Sequence, residues 1–165
     1  MSKELAQLLF PNVDKTIEYY EDLYPERNLD KKAKVTRLGP SPTGFIHLGN
    51  LYGALVDERI AHLNDGTMLL RIEDTDDKRK VEGSEELIIR SLKFFGIEFD
   101  EGVSLDGEKG IYGPYRQSDR KEIYQTAAKY LTEKGFTYPS FVSEEEMAII
   151  REEQEKAGVN TGYYG

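Results

Sequence analysis

"RLGPSPTGFIHLGN" (residues 37–50) decides how this chain is read, because it places two prolines, three glycines and a histidine between a strand and a helix. The preceding "KVTRLG" (34–39) reads as a short strand. After it, Leu48, Leu51 and Leu55, then Val56, Ile60 and Leu63, keep helical spacing up to the stop "NDG". Such a connection is either a plain strand-to-helix turn or a place where the backbone must approach a ligand. In an open parallel sheet, ligands bind beyond the carboxyl ends of the strands, where a helix N-terminus offers free N–H groups and partial positive charge. Pro40 and Pro42 stiffen the path, Gly44 and Gly49 remove side chains that would hold a ligand off the backbone, and His47 can donate to a phosphate. Neither G-x-G-x-x-G nor G-x-x-x-x-G-K-[ST] occurs, so the standard nucleotide fingerprints do not decide between the two readings.

The next strand, "TMLLRI" (67–72), runs into "RIEDTDDKRK", which puts Arg71, Glu73, Asp74 and Asp76 at the carboxyl edge of the sheet beside the first loop. Carboxylates there suit a substrate ammonium or a hydrated Mg²⁺; a solvated acidic turn is the plainer reading. An EF-hand fails, because loop position 5 would be Lys78 and position 6, where glycine makes the turn, would be Arg79.

Further along, the spacing predicts a helix over 83–95 with Ile88, Leu92 and Phe95 inward, and another over 118–134 capped by Ser118 with Ile123, Ala127, Tyr130 and Leu131 on one face. A short strand "FTYPSF" (136–141) follows. A last helix runs to about residue 156, opened by Ser143 and Glu146 at capping-box spacing. Between two of these elements lies a glycine-rich excursion (96–113) of the length usual for functional or mobile loops. Residues 1–32 read as an appendage of two short helices and a charged linker that clasps the main domain. Strands alternating with helices define an α/β class with a parallel sheet covered on both faces.

Composition narrows the function. At 165 residues, 38% hydrophobic and 32% charged, the chain suits one globular domain, and no window is apolar enough for a membrane span or a signal peptide, which points to the cytoplasm. Without cysteine, and with two histidines, no zinc is expected; Mg²⁺ would arrive with a phosphate ligand. A formal charge of -9 argues against indiscriminate nucleic-acid binding but leaves room for a local basic face such as Lys78, Arg79 and Lys80. His62 reads as a helix-surface residue.

Four pieces in order, "TRLGPSPTGFIHLGNLYGAL", "LLRIEDTD", "LKFFGIEFDEG" and "GPYRQSDRKEIYQTAAKYL", strongly resemble the start of the catalytic domain of bacterial-type glutamyl-tRNA synthetases, which are class I aminoacyl-tRNA synthetases. The match runs from about residue 35 to 141, and the class signature H-I-G-H stands here as His47-Leu48-Gly49-Asn50. The resemblance implies a partial Rossmann-like nucleotide-binding fold over residues 33–165, preceded by the helical extension 1–32. It also implies an ATP-dependent ligase that makes glutamyl-adenylate and passes the acyl group to the 3′ end of tRNA(Glu), with Mg²⁺ accompanying ATP. It gives Arg37 to the side-chain carboxylate of glutamate, Ser41 and Glu73 to the amino acid (Glu73 toward its ammonium), and Arg79 to the tRNA acceptor end. Pro42, Thr43 and Gly44, with His47, Gly49 and Asn50, fall to ATP, the last three being the catalytic signature. A planar guanidinium suits a bidentate grip on a carboxylate, so Arg37 explains a preference for glutamate over glutamine.

The family's second signature, K-M/L-S-K-S, and an anticodon-binding domain are not in the sequence, and "NTGYYG" does not resemble a domain's closing tail. The expectation is therefore an N-terminal piece of a longer enzyme, favouring a monomer and unable by itself to aminoacylate tRNA. A glutamyl-queuosine tRNA synthetase-like paralogue, and a non-catalytic module reusing the fold to bind a nucleotide or partner, are the alternatives. Glutaminyl-tRNA synthetase is disfavoured by "RIEDTD". A nucleotidylyltransferase with an H-x-G-H motif is disfavoured by Asn50.

Overall fold

Hydrophobic residues at alternate positions from 68 to 72 fix the centre of the molecule. In a computed structural model that describes residues 2–76 and 78–164, strand β2 (Thr67–Leu70) is flanked on both sides, and Met68, Leu70 and the following Ile72 are wholly buried. Asp77 of the "RIEDTDDKRK" segment lies outside the described residues. On one side β1 (Val35–Leu38) pairs with β2 in parallel, Arg37 opposite Leu69; on the other, β3 (Glu101–Ser104) also pairs in parallel, and β4 (Gly107–Lys109) returns antiparallel to β3. The strand order is β1-β2-β3-β4.

The crossovers are α3 (Leu48–His62) between β1 and β2, and α4 (Ser84–Phe94) between β2 and β3. Right-handed connections stepping in one direction across a sheet put their helices on the same face. Accordingly Ala54 and Ala61 of α3 and Ile88 and Leu92 of α4 share one core with Met68, Leu70 and Ile72. Val35 and Arg37, which point the other way, are exposed, so the expected cover on both faces is not met among the described residues.

Several sequence expectations shift for the same reason, namely which neighbour is present. In α3 the buried positions are Ala54, Glu58 and Ala61, while Leu48, Leu55, Val56, Ile60 and Leu63 are exposed; the small alanines let the helix approach the sheet. Phe95, expected inward, caps the C-terminus of α4 in solvent. Residues 136–141 form no strand: Pro139 has no N–H to donate, and Phe136, Tyr138 and Phe141 are exposed. The 96–113 excursion is in part the β3–β4 hairpin. Its Gly102 (φ +127°) is required, because a Cβ there would fall 2.2 Å from the Leu70 carbonyl oxygen across the β2–β3 pairing.

The 118–134 helix begins as a 3₁₀ turn (Ser118–Arg120) and continues as α5 (Lys121–Glu133). Thr126 and Thr132 are its buried positions, with Tyr130 and Leu131 at its edge. The capping box is present at α6 (Glu144–Lys156), where Ser143 Oγ accepts from Glu146 N at 3.2 Å and Glu146 Oε2 accepts from Ser143 N at 2.8 Å.

The two N-terminal helices form as read, α1 (Ser2–Leu9) and α2 (Ile17–Leu23), the second capped by Thr16, and both pack on α5. Lys129 Nζ donates to Val13 O at 2.8 Å, and Lys15 pairs with Glu122 at 2.8 Å. Farther along, Arg27 grips Glu101 with both terminal nitrogens while its guanidinium lies 3.9 Å from the Tyr112 ring centre. Tyr112 OH donates to Pro25 O at 2.9 Å. Glu101 also accepts from Tyr115 OH at 2.8 Å; the Arg27 bonds hold its carboxyl below the usual range, and burial together with that carboxylate pushes the Tyr115 phenol up to about 12.

His62 is not a plain surface residue. Its ring bridges Glu58 of its own helix (2.9 Å) and Asp100 before β3 (3.0 Å), and Asp100 also accepts from Met68 N at 2.7 Å. The hydrogen bond to Asp100, opposed by partial burial and aided by Glu58, raises the imidazole above its ordinary 6.5.

Two outcomes follow for stability. A folded pKa raised above the unfolded one stabilises fully below about 6.5 and is lost as pH rises through the folded value. Urea unfolding at pH 6 and pH 9 will therefore show a loss of stability at the higher pH that His62→Gln abolishes. Arg27→Met, which strands a largely buried carboxylate, will cost about 2 kcal/mol in the same assay.

Candidate active site

Beyond the end of β2 the chain stays extended and is held from both sides. Arg71 N donates to Leu38 O at 3.0 Å and Glu73 N to Pro40 O at 2.9 Å, while Ile72 N donates to Tyr115 O at 3.0 Å and accepts, through its carbonyl, from Gln117 N at 2.9 Å. Alternation then sends Arg71 and Glu73 to one side and buries Ile72 and Asp74 on the other. The loop after β1 is fixed in turn: Pro42 is buried, and its carbonyl accepts from Val81 N at 3.0 Å and Ser84 Oγ at 2.8 Å.

This loop and the start of α3 line an open cleft of about 400 Å³, bounded by Gly39, Pro40, Ser41, Thr43, Gly44, Phe45, Ile46, His47 and Asn50, with Ile88 from α4. None of these side chains is a carboxylate, so a chain of formal charge -9 leaves this wall open to an anion. Two of the cleft residues shape the helix start. His47 is the N-cap of α3, and Asn50 Oδ1 accepts from His47 N at 3.4 Å. Gly49 lies within the first turn, where an added Cβ would press on the His47 ring at 3.3 Å. At the start of this 15-residue helix Asn50 N donates to His47 O at 3.0 Å, which leaves the N–H groups of Leu48 and Gly49 as the ones without an acceptor in the helix.

Against the Gly39 wall sits an ion pair: Arg37 Nη1 donates to Glu73 Oε1 at 2.6 Å, and Arg71 Nη2 donates to the same oxygen at 3.2 Å. Burial works to raise the Glu73 carboxyl, but the two guanidinium groups outweigh it and hold the group below the usual range. Gly39 makes the approach possible, because a Cβ there would lie 2.7 Å from Glu73 Oε1 and 3.2 Å from Arg37 Nη1.

The other acidic residues of the segment are engaged elsewhere. Asp74, 6% exposed, accepts from Ser118 N at 2.9 Å and Ser118 Oγ at 2.8 Å, so Ser118 serves Asp74 rather than capping its own helix. Asp76 holds Arg79, accepting from its Nε at 2.6 Å, and Arg79 is directed into that loop rather than the cleft. Among the described residues no three histidine, aspartate or glutamate side chains cluster to hold a metal ion.

Of the residues singled out in the sequence, Ser41, Thr43, Gly44, His47 and Asn50 meet in the cleft. Arg37 and Glu73 meet each other beside it; Pro42 stands behind it. Gly39 escaped notice because its significance depends on a carboxylate 34 residues away, for which no local signal exists.

A mostly parallel four-stranded sheet with crossover helices, a glycine- and proline-rich loop between the first strand and its helix, and an ion pair of Arg37 and Glu73 at adjacent strand ends make an α/β fold of the Rossmann-like class. The chain belongs to the tRNA synthetases class I (E and Q): the family's catalytic-domain model matches residues 34–164. Within that family it is similar to glutamate–tRNA ligases. That of Acetivibrio thermocellus is 64% identical over 164 residues, 99% of this chain and 30% of the relative. That of Clostridium perfringens strain 13 is 48% identical over the same span and shares. The crystal structure of a glutamate tRNA ligase from Elizabethkingia meningosepticum in complex with its amino acid superimposes with a TM-score of 0.70 at 41% identity, covering 81% of this chain and 26% of that one. The chain thus spans about 30% of the length of these curated relatives.

Gly39→Ala separates the packing of the fold from the geometry of the ion pair. The displaced atom is a side-chain terminus and not backbone, so unfolding will change by less than about 1 kcal/mol. The Arg37–Glu73 pair will open, and the Glu73 carboxyl, followed by NMR titration, will move back up toward its ordinary range.

Proposed function

We propose that this chain supplies the first part of the catalytic domain of an ATP-dependent ligase that activates glutamate as glutamyl-adenylate and transfers it to the 3′ end of tRNA(Glu). The observation that carries the reading is the Arg37–Glu73 pair, two opposite charges from adjacent strand ends beside a carboxylate-free cleft at a helix N-terminus. An amino acid with a second carboxylate complements both charges at once: its side chain takes Arg37, and its ammonium takes Glu73. Ser41 supports the amino acid.

The α-carboxylate of glutamate attacks the α-phosphorus of ATP, forming the acyl–phosphate bond as pyrophosphate leaves. The terminal ribose hydroxyl of tRNA then attacks the acyl carbon, and AMP departs. The chain's part is positioning and charge compensation. Pro42, Thr43 and Gly44 shape the phosphate path, while His47, Gly49 and the turn kept by Asn50 present the N-terminus of α3 to the phosphates. Mg²⁺ supplies neutralisation of phosphate charge when bound with ATP, and the absence of carboxylates from the cleft wall fits its entry with the nucleotide. Arg79 contacts the tRNA acceptor end once it leaves Asp76. Residues 1–32 are a brace that fixes the 112–118 segment against the strand carrying Glu73.

Calorimetric titration of the chain with glutamyl- and glutaminyl-adenylate analogues tests the reading. Preference for the glutamyl form by about tenfold or more, abolished in Arg37→Ala, is expected. Equal binding of the two forms would overturn it.

A further inference from the structure

Arg37 has two claims on it: it is bonded to Glu73 at 2.6 Å, and in the proposed reaction it must turn to the substrate's side-chain carboxylate. A site built from only these two residues would release Glu73 at the moment it has to stay ionised and aimed at the ammonium. The structure holds a third group. Arg71 follows β2 directly, and its backbone is pinned by the bond from its N–H to Leu38 O at 3.0 Å. Its Nη2 donates to the same Glu73 oxygen at 3.2 Å, and its side chain is 25% exposed. Its Nε is buried without a hydrogen-bond partner, a condition that costs stability and is uncommon away from sites with a use for it.

We infer that Arg71 is a positioning residue that retains Glu73 when Arg37 passes from Glu73 to the incoming carboxylate, so that the ammonium subsite persists while the carboxylate subsite fills. The inference rests on the assignment of Glu73 to the substrate ammonium. Two arginines sharing one oxygen make the exchange possible without an unpaired charge at any stage: before binding Glu73 has both, and afterwards Arg71 and the ammonium replace the lost partner. Arg71 touches neither reacting atom, and its effect is confined to ligands that carry the α-ammonium.

That confinement supplies the test. The chain, and its Arg71→Met, Arg71→Lys and Glu73→Gln variants, are titrated with the glutamyl-adenylate analogue and with the glutaryl analogue that lacks only the α-amino group. The unsubstituted chain is expected to prefer the glutamyl form, and Glu73→Gln to lose the preference. Arg71→Met is expected to reduce the ratio of the two affinities about tenfold while leaving glutaryl binding unchanged, with Arg71→Lys recovering part of the ratio. Equal weakening of both analogues in Arg71→Met, or no change in either, overturns the role of Arg71 while leaving that of Glu73 intact. An unaltered ratio in Glu73→Gln, or no saturable binding of either analogue to the unsubstituted chain, overturns the underlying assignment and the inference with it.

Discussion

Everything at the candidate site depends on how the three residues after β2 are clamped. Backbone bonds to Leu38 and Pro40 on one side, and to Tyr115 and Gln117 on the other, keep residues 71–73 extended after the regular strand has ended. An extended chain alternates its side chains, so the clamp brings Arg71 and Glu73 to Arg37 while Ile72 goes into the core and Asp74 to Ser118. Release of either border would let this alternation slip by one residue and exchange the charged side for the buried one.

The clamp's second border is held in turn by residues that follow α2. Tyr115 reaches Ile72 through its carbonyl and Glu101 through its hydroxyl, and Glu101 is gripped by Arg27. Tyr24 and Tyr112 add bonds from the same region, to Gly113 and from Tyr112 back to Pro25. The family match begins at residue 34, whereas the Acetivibrio relative aligns over 99% of the chain, so this border is reinforced by residues outside the shared catalytic-domain pattern.

Electrostatic order follows from the same arrangement. The acidic run that looks uniform in the sequence is divided by its neighbours: Glu73 meets two guanidinium groups, Asp74 a backbone N–H and a hydroxyl, Asp76 the Arg79 side chain. Each carboxylate is held below its usual range, although burial opposes this at Glu73 and Asp74. The partners nevertheless differ in kind. Those of Asp74 are fixed in the body of the molecule, whereas Arg37, the partner of Glu73, stands 44% exposed.

By itself the sequence determined the order β1, connection, α3, β2, α4, the place of the glycine- and proline-rich connection and the charged strand end, but not the β3–β4 hairpin within 96–113, because apolar periodicity, proline, glycine and capping residues act over a few neighbours. The motif order from "TRLGPSPTG" to "GPYRQSD" also carried the family. Only the tertiary structure decided that Arg37 pairs with Glu73 and shares it with Arg71, that Gly39 is the space their contact needs, and that His62 links two carboxylates. The inward face of α3, running through Ala54 and Ala61 instead of its leucines, and the absence of a strand at 136–141 were decided there too. These outcomes depend on which residues distant in the chain arrive at the same place, and on which surfaces have a neighbour to bury them, and no local pattern encodes either.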